Sequence, residues 1–232
     1  MTSRIGLIIF ARNSSKRFPR KAMMKINNRE LLGHVIDRAK MIGEEYPLVL
    51  ATSTHSSDDE IESFAKEEEI KIFRGDLNNV LQRAIDCCRE NDFTDFARIC
   101  GDRPLFCPEI VKKIIEFHKN NNFQLTTNIK KRTYPSGFSS EVVDLSILKS
   151  ITNKITNKED YEHITKFFYD NPGYCKVYNF ESPIKGIAHF ECTVDYPEDI
   201  IKISKIMGKN NHSSANLTFN EIVKNLKKYY SS

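Results

Sequence analysis

Tryptophan is absent from the 232 residues, and no aromatic platform motif takes its place. Single-stranded RNA is commonly read by stacking bases on such platforms, so the lack argues against an RNA-binding module. Charge argues the same way. The 35 basic residues face 31 acidic ones, for a net charge of +4, and the isoelectric point of about 8.6 is below the range usual for nucleic-acid binders. No C-x₂-C spacing occurs among the six cysteines, and no two histidines stand at zinc-ligand spacing. Cys87 and Cys88 are adjacent, which suits neither an ordinary disulfide nor a chelate, so the cysteines read as free thiols in a reducing compartment. The apolar run at 5–11 ends at Arg12 and is too short for a signal-peptide core. No stretch approaches the roughly 20 apolar residues of a membrane span. The expectation is a cytoplasmic protein with neither membrane nor nucleic-acid partners. Repeats, heptads, a G-x-x-x-x-G-K-[ST] loop and a G-x-G-x-x-G fingerprint are all missing.

What is present is an ordinary globular composition, 40% hydrophobic and 28% charged, in a length that suits one domain over 1–232. Ile5–Phe10 is an isoleucine-rich apolar run that predicts a strand buried on both faces. Further strands are expected at 46–52, 70–73, Asp95–Cys100 and 123–128. Helices are expected between them at 31–41, 58–69, 77–89 and Pro108–Asn120. This alternation predicts an α/β fold with a mainly parallel, Rossmann-like sheet flanked by helices. Beyond residue 130 the pattern loosens: strands are expected at 140–145, 174–180 and 188–194. Helices are expected at 160–169, Pro197–Met207 and Phe219–Tyr230, with a polar loop at 208–216.

Open parallel sheets bind ligands at the carboxyl ends of their strands, and three of these ends carry chemistry. After the first strand, Arg12, Lys16, Arg17, Arg20 and Lys21 crowd into ten residues. Guanidinium forks and loop amides suit a triphosphate, although a solvated basic loop has the same composition. Gly101-Asp102-Arg103-Pro104 follows the strand at Asp95–Cys100, where Asp102 could hold Mg²⁺ or simply serve a turn. Asp195 follows another apolar stretch and precedes a helix, as a second Mg²⁺ ligand or as a cap.

The pattern Arg12-x-x-Ser15-x-Arg17-x-Pro19-x-Lys21 resembles the signature of the cytidylyltransferases that make CMP-activated acidic sugars. It is most similar to the branch named after spore coat polysaccharide biosynthesis protein F. The resemblance continues through Arg74-Gly75, Asn79-Val80-Leu81-x-Arg83 and Arg98-Ile99-Cys100-Gly101-Asp102-x-Pro104-Leu105. It then runs through Gly137-x-x-x-Glu141-Val142, Glu162-His163-Ile164-Thr165 and Thr193-Val194-Asp195-x-Pro197-Glu198-Asp199, so it spans nearly the whole chain. It implies a glycosyltransferase-A-like fold with a smaller inserted β arm. It implies CTP and an acidic acceptor as substrates, with 130–190 serving the acceptor and a homodimer contact.

By the same resemblance Arg12, Arg17 and Lys21 act on the triphosphate, and Asp102 and Asp195 hold Mg²⁺. Ala11, Ser15, Thr52, Ser53, Gly75, Asn79, Arg83 and Cys100 are expected at the nucleotide, and Glu141 and His163 at the acceptor. Where sugar-acid synthetases commonly carry glutamine before the Gly-Asp pair, this chain carries Cys100, so the acceptor could equally bear a phosphate or phosphonate. A transferase using another nucleotide, or a non-catalytic nucleotide-binding protein of the same fold, are the alternatives.

Overall fold

A computed structural model describes residues 3–208 and 212–231. Residues 209–211 of the expected polar loop lie outside the described residues. Strands β1 (Ile5–Phe10), β2 (Lys25–Ile26) and β3 (Arg29–Glu30) precede helix α1 (Leu31–Lys40). Then come β4 (Leu48–Ser53), α2 (Asp59–Glu67), β5 (Lys71–Gly75), α3 (Val80–Glu90), β6 (Asp95–Cys100), α4 (Pro108–Asn120) and β7 (Leu125–Thr127). The second half adds β8 (Glu141–Asp144), α5 (Leu145–Ile151), α6 (Lys158–Glu162), α7 (Lys166–Asp170), β9 (Val177–Asn179), α8 (Pro197–Met207) and α9 (Phe219–Tyr230). None of the described helices is long and apolar enough to cross a membrane.

Seven strands form one sheet in the order β5-β4-β1-β6-β8-β7-β9. The first four are mutually parallel, β8 runs antiparallel between β6 and β7, and β9 pairs parallel with β7. Side-chain alternation along a strand sends successive residues to opposite faces. Leu7 and Ile9 accordingly enter a core with α1, α2, α4, α8 and α9, while Ile8 enters a second core with α3 and α5. A strand covered on both sides is apolar at every position, which is why Ile5–Phe10 was legible as a run. Gly6 belongs to that run because a side chain there would meet the Phe93 ring at 2.1 Å.

The second half departs from expectation in four places. The 140–145 and 174–180 strands, expected as an inserted arm, are built into the main sheet as β8 and β9. Segment 160–169 is two short helices interrupted at 163–165. The stretch 188–194 is coil with one isolated bridge, between Ser136 and Glu191; Phe190, Cys192 and Val194 enter the core while His189 and Glu191 stay exposed. Helix α5, capped by Asp144 on the Ser146 amide, follows β8 with no intervening loop.

Buried Arg38 substitutes for a salt bridge by spending its donors on carbonyls. It donates to Phe106, Ser214 and Leu217, tying α1 to the start of α4 and the approach to α9. Burial pushes its pKa below the ordinary value.

Candidate active site

The carboxyl ends of β1 and β6 finish level at Phe10 and Cys100, and β4, in register through Ala51, runs two residues further to Ser53. The basic loop leaves β1 at this rim. It closes on itself where the Arg20 amide donates to the Asn13 carbonyl at 2.9 Å, with Arg20 in the left-handed region at φ 58°.

Beneath the loop lies Asp58, fully buried. It accepts from the Asn13 amide at 2.7 Å, the Thr52 hydroxyl at 3.0 Å, and the Ser53 amide and hydroxyl. Thr52 and Ser53, expected at the nucleotide, therefore turn their hydroxyls to this anchor, and Ala11 offers its carbonyl to Thr52 at 2.9 Å. Asp58 stands in a Ser-Ser-Asp-Asp run that reads as a helix start. Only the polar end of β4 beside it signals an anchor.

Each of four loop cations holds an internal carboxylate. Arg12 pairs with Glu162 of α6, Arg17 with Asp195 at 2.6 Å, and Arg20 with Glu60 at 2.6 Å. The Lys21 ammonium donates to Asp102 at 2.8 Å, Asp195 at 3.2 Å and the Val194 carbonyl at 2.7 Å. Asp102 and Asp195 thus converge on one point, although the chain between them spans seven strands and helices. Their juxtaposition is set by coil 188–196: the Val194 amide donates to the Asp102 carbonyl at 3.0 Å, and the Cys192 amide to the Ser136 carbonyl at 3.0 Å. Gly137, at φ 97°, lets this coil approach, since a side chain there would meet Cys192 Sγ at 2.8 Å. A small cavity of about 140 Å³ opens beside Asp195, between Ser136 and Lys202.

On the other face of the rim, Arg83 of α3 is 2% exposed, and its Nε and Nη1 lack hydrogen-bond partners among the described residues. Burial and the like charge of Arg12 bring its pKa down to about 10. Its stem packs on Gly75, where a side chain would lie 2.9 Å from Arg83 Cγ. Asn79 caps α3 by accepting from the Gln82 amide at 2.8 Å. Ser15 accepts from the Phe18 amide at 3.4 Å within the loop, and Cys100 is half-buried at the end of β6.

Glu141 is 2% exposed on β8 and accepts from Arg98 of β6 at 2.8 Å and from the Tyr169 hydroxyl. Burial alone would raise its pKa. The Arg98 charge and the hydrogen bonds from Tyr169 and Thr165 outweigh that and hold it below the ordinary value. His163, at the exposed end of α6, sits apart from this network. Arg103 and Arg132 were not singled out in the sequence, yet they converge on Ser139 next to Asp102.

The arrangement combines two carboxylates facing a cation with further cations one residue type away from a polyphosphate clamp. A family model described as cytidylyltransferase matches residues 7–230. The spore coat polysaccharide biosynthesis protein SpsF of Bacillus subtilis is 27% identical over 211 residues, covering 88% of this chain and 87% of that protein. The structure of a cytidylyltransferase from Leptospira borgpetersenii superposes with a TM-score of 0.92 at 24% identity, over 99% of this chain and 96% of that one. A CMP:2-keto-3-deoxy-manno-octonic acid synthetase complexed with CTP has a TM-score of 0.64 at 16% identity, over 88% and 98% of the two chains.

Proposed function

We propose, from the premise that this chain belongs to the cytidylyltransferase family, that it transfers CMP from CTP to a small acidic acceptor and releases pyrophosphate. The acceptor class is a sugar acid or a phosphate- or phosphonate-bearing metabolite, in surface polysaccharide or related biosynthesis. The observation that carries this reading is the Lys21 ammonium lodged between Asp102 and Asp195. It marks a point where two carboxylates already accept one cation, beside a loop able to receive phosphates.

The donor set fits Mg²⁺, a hard ion that favours carboxylate oxygens and completes its shell with substrate phosphates and water. Two protein carboxylates are enough for such a site, because substrate phosphates and water complete the shell. Asp102 and Asp195 would hold the ion, which when bound polarises phosphoryl oxygens and neutralises charge on the departing pyrophosphate.

The remaining work falls to the chain's own residues. Arg17 and Lys21, released from their carboxylates, donate to phosphate oxygens and stabilise the negative charge that builds on the leaving group. Arg12, released from Glu162, does the same from the opposite side, with Arg83 beneath it supplying unspent donors. Asp58 holds the loop amides in place, so positioning is paid before the substrate arrives. Segment 130–190 is assigned to the acceptor and to a homodimer contact, with β9 as the outer edge strand.

Nucleotide-dependent melting tests this. CTP with Mg²⁺ should raise the melting temperature, since a ligand at 100 times its Kd adds about 2.7 kcal/mol to the folded state. GTP, ATP and UTP should shift it less. Equal shifts from all four would remove cytidine from the proposal and leave a nucleotide site.

A further inference from the structure

Arg103 and Arg132 differ from the basic loop in one respect that bears on the acceptor. Arg12, Arg17, Arg20 and Lys21 each hold an internal carboxylate. Neither Arg103 nor Arg132 has a carboxylate within ion-pair distance among the described residues. Asp102, the acid next to Arg103, faces Lys21 instead.

Both guanidinium groups meet at Ser139. Arg103 Nη1 donates to its carbonyl at 3.0 Å and Arg132 Nη1 to its hydroxyl at 3.4 Å. Arg103 Nε is buried with no partner among the described residues. Two like charges share this recess, and the Arg132 pKa falls through burial and then through the Arg103 charge.

The backbone holding them is fixed. Asn128 accepts from the Ser140 amide at 2.8 Å and donates to the Phe138 carbonyl at 2.9 Å. On either side of Arg132, the Lys131 amide donates to Asn179 at 3.0 Å and the Ser182 amide to Thr133 at 2.8 Å. Arg132 is thus presented by a pinned segment after β7, while Arg103 directly follows β6 beside Asp102. Arg12, Arg17 and Arg20 of this rim face acids and Arg83 is buried, whereas Arg103 and Arg132 face no acid among the described residues and are at least partly exposed.

We propose that the Arg103–Arg132 recess is a subsite for a doubly charged phosphoryl group carried by the acceptor. Two uncompensated guanidinium groups match a dianion, which offers three acceptor oxygens to two forks. A single carboxylate would leave one positive charge unmet in a partly desolvated position. The inference rests on the reading of this site as one that passes a nucleotidyl group to an acceptor. It names Arg103 and Arg132 as specificity-determining residues, with the attacking oxygen lying on the Asp102 side of the phosphoryl group.

The test uses inorganic phosphate at about pH 8, where it is a dianion, titrated by calorimetry into the full-length protein already saturated with CTP and Mg²⁺. Acetate serves as the carboxylate probe. Phosphate should bind at least about tenfold more tightly than acetate, and Arg103→Gln and Arg132→Gln should each weaken it by about tenfold or more, the scale of one lost charge-assisted hydrogen bond. CTP affinity should be unchanged in both variants, which also certifies their folding. Arg132 is exposed, so its variant keeps the test intact if Arg103→Gln does not fold. Equal binding of phosphate and acetate would overturn the dianion assignment. Unaltered phosphate binding in both variants would overturn the subsite. Weakened CTP binding in a folded variant would move the recess to the triphosphate. Failure of the wild-type protein to bind CTP at all would instead remove the nucleotidyl-transfer reading itself.

Discussion

Lys21 is the residue on which the site turns. Its ammonium bridges Asp102 and Asp195, with the Arg17 guanidinium also on Asp195. In the proposed mechanism a metal ion displaces this bonded lysine as it binds. Lys21→Met should tighten Mn²⁺ binding in the absence of nucleotide by about tenfold, because two charge-assisted bonds no longer compete. The same variant should lose turnover by about 10², having lost a donor to the leaving group. Electron paramagnetic resonance of free Mn²⁺ would measure the first effect. Unchanged or weaker metal binding would show that Lys21 and the metal do not share a seat. Asp58 illustrates the opposite kind of residue. It touches no substrate in the proposed mechanism, yet its four donors decide where the loop amides lie.

At the scale of elements, the Arg98–Glu141 pair clamps β6 to β8 at the point where the sheet reverses direction. The folded-state pKa of Glu141 lies below its ordinary value. Its contribution is therefore fully present above the unfolded carboxylate pKa and is lost as pH falls through the lower, folded one. Glu141→Gln should cost about 3 kcal/mol at neutral pH, since removing one partner strands a buried charge. The gap between wild type and variant should narrow below about pH 4, as the wild-type carboxylate protonates. Urea midpoints across pH would show it, and a gap independent of pH would mean the pair contributes by shape alone. Strand β1, buried on both faces, was legible because every position is apolar. Helices α1, α3 and α4 were legible from their periodicity. What was not legible is the coil at 188–196. Its apolar residues fill core space without pairing, so its composition mimics a strand. In the site, the basic loop, Asp102 and Asp195 could be read from type and position. Glu162 stood in a quoted motif without a role, and Arg103 and Arg132 act through neighbours distant in sequence, where no local spacing announces the contact.

For the molecule as a whole, the sandwich of helices on sheet sorts the cysteines. Cys87, Cys88, Cys107 and Cys192 are buried, and burial raises all four thiols, Cys87, Cys107 and Cys192 to about 12. Cys100 and Cys175 are partly exposed. Intact-mass analysis after iodoacetamide at neutral pH should show at most two labels on the folded protein and six once it is unfolded, because only an accessible thiolate reacts. CTP with Mg²⁺ should slow labelling at Cys100, at the rim of the site. Rapid labelling of all six in the native protein would mean that the two cores open readily. The self-paired basic loop carries a further consequence, for the crowd of small anions in which any such protein works. A lone phosphate or sulfate approaching Arg17 or Lys21 would have to break an existing ion pair to form a new one of the same kind, and would gain almost nothing. In the proposed mechanism a triphosphate that brings its own divalent ion makes two exchanges at once: the metal takes Asp102 and Asp195, and the phosphates take the Arg17 and Lys21 so released. On that reading the loop gains little from simple anions and much from a nucleotide and a metal arriving together, of which only the nucleotide is consumed.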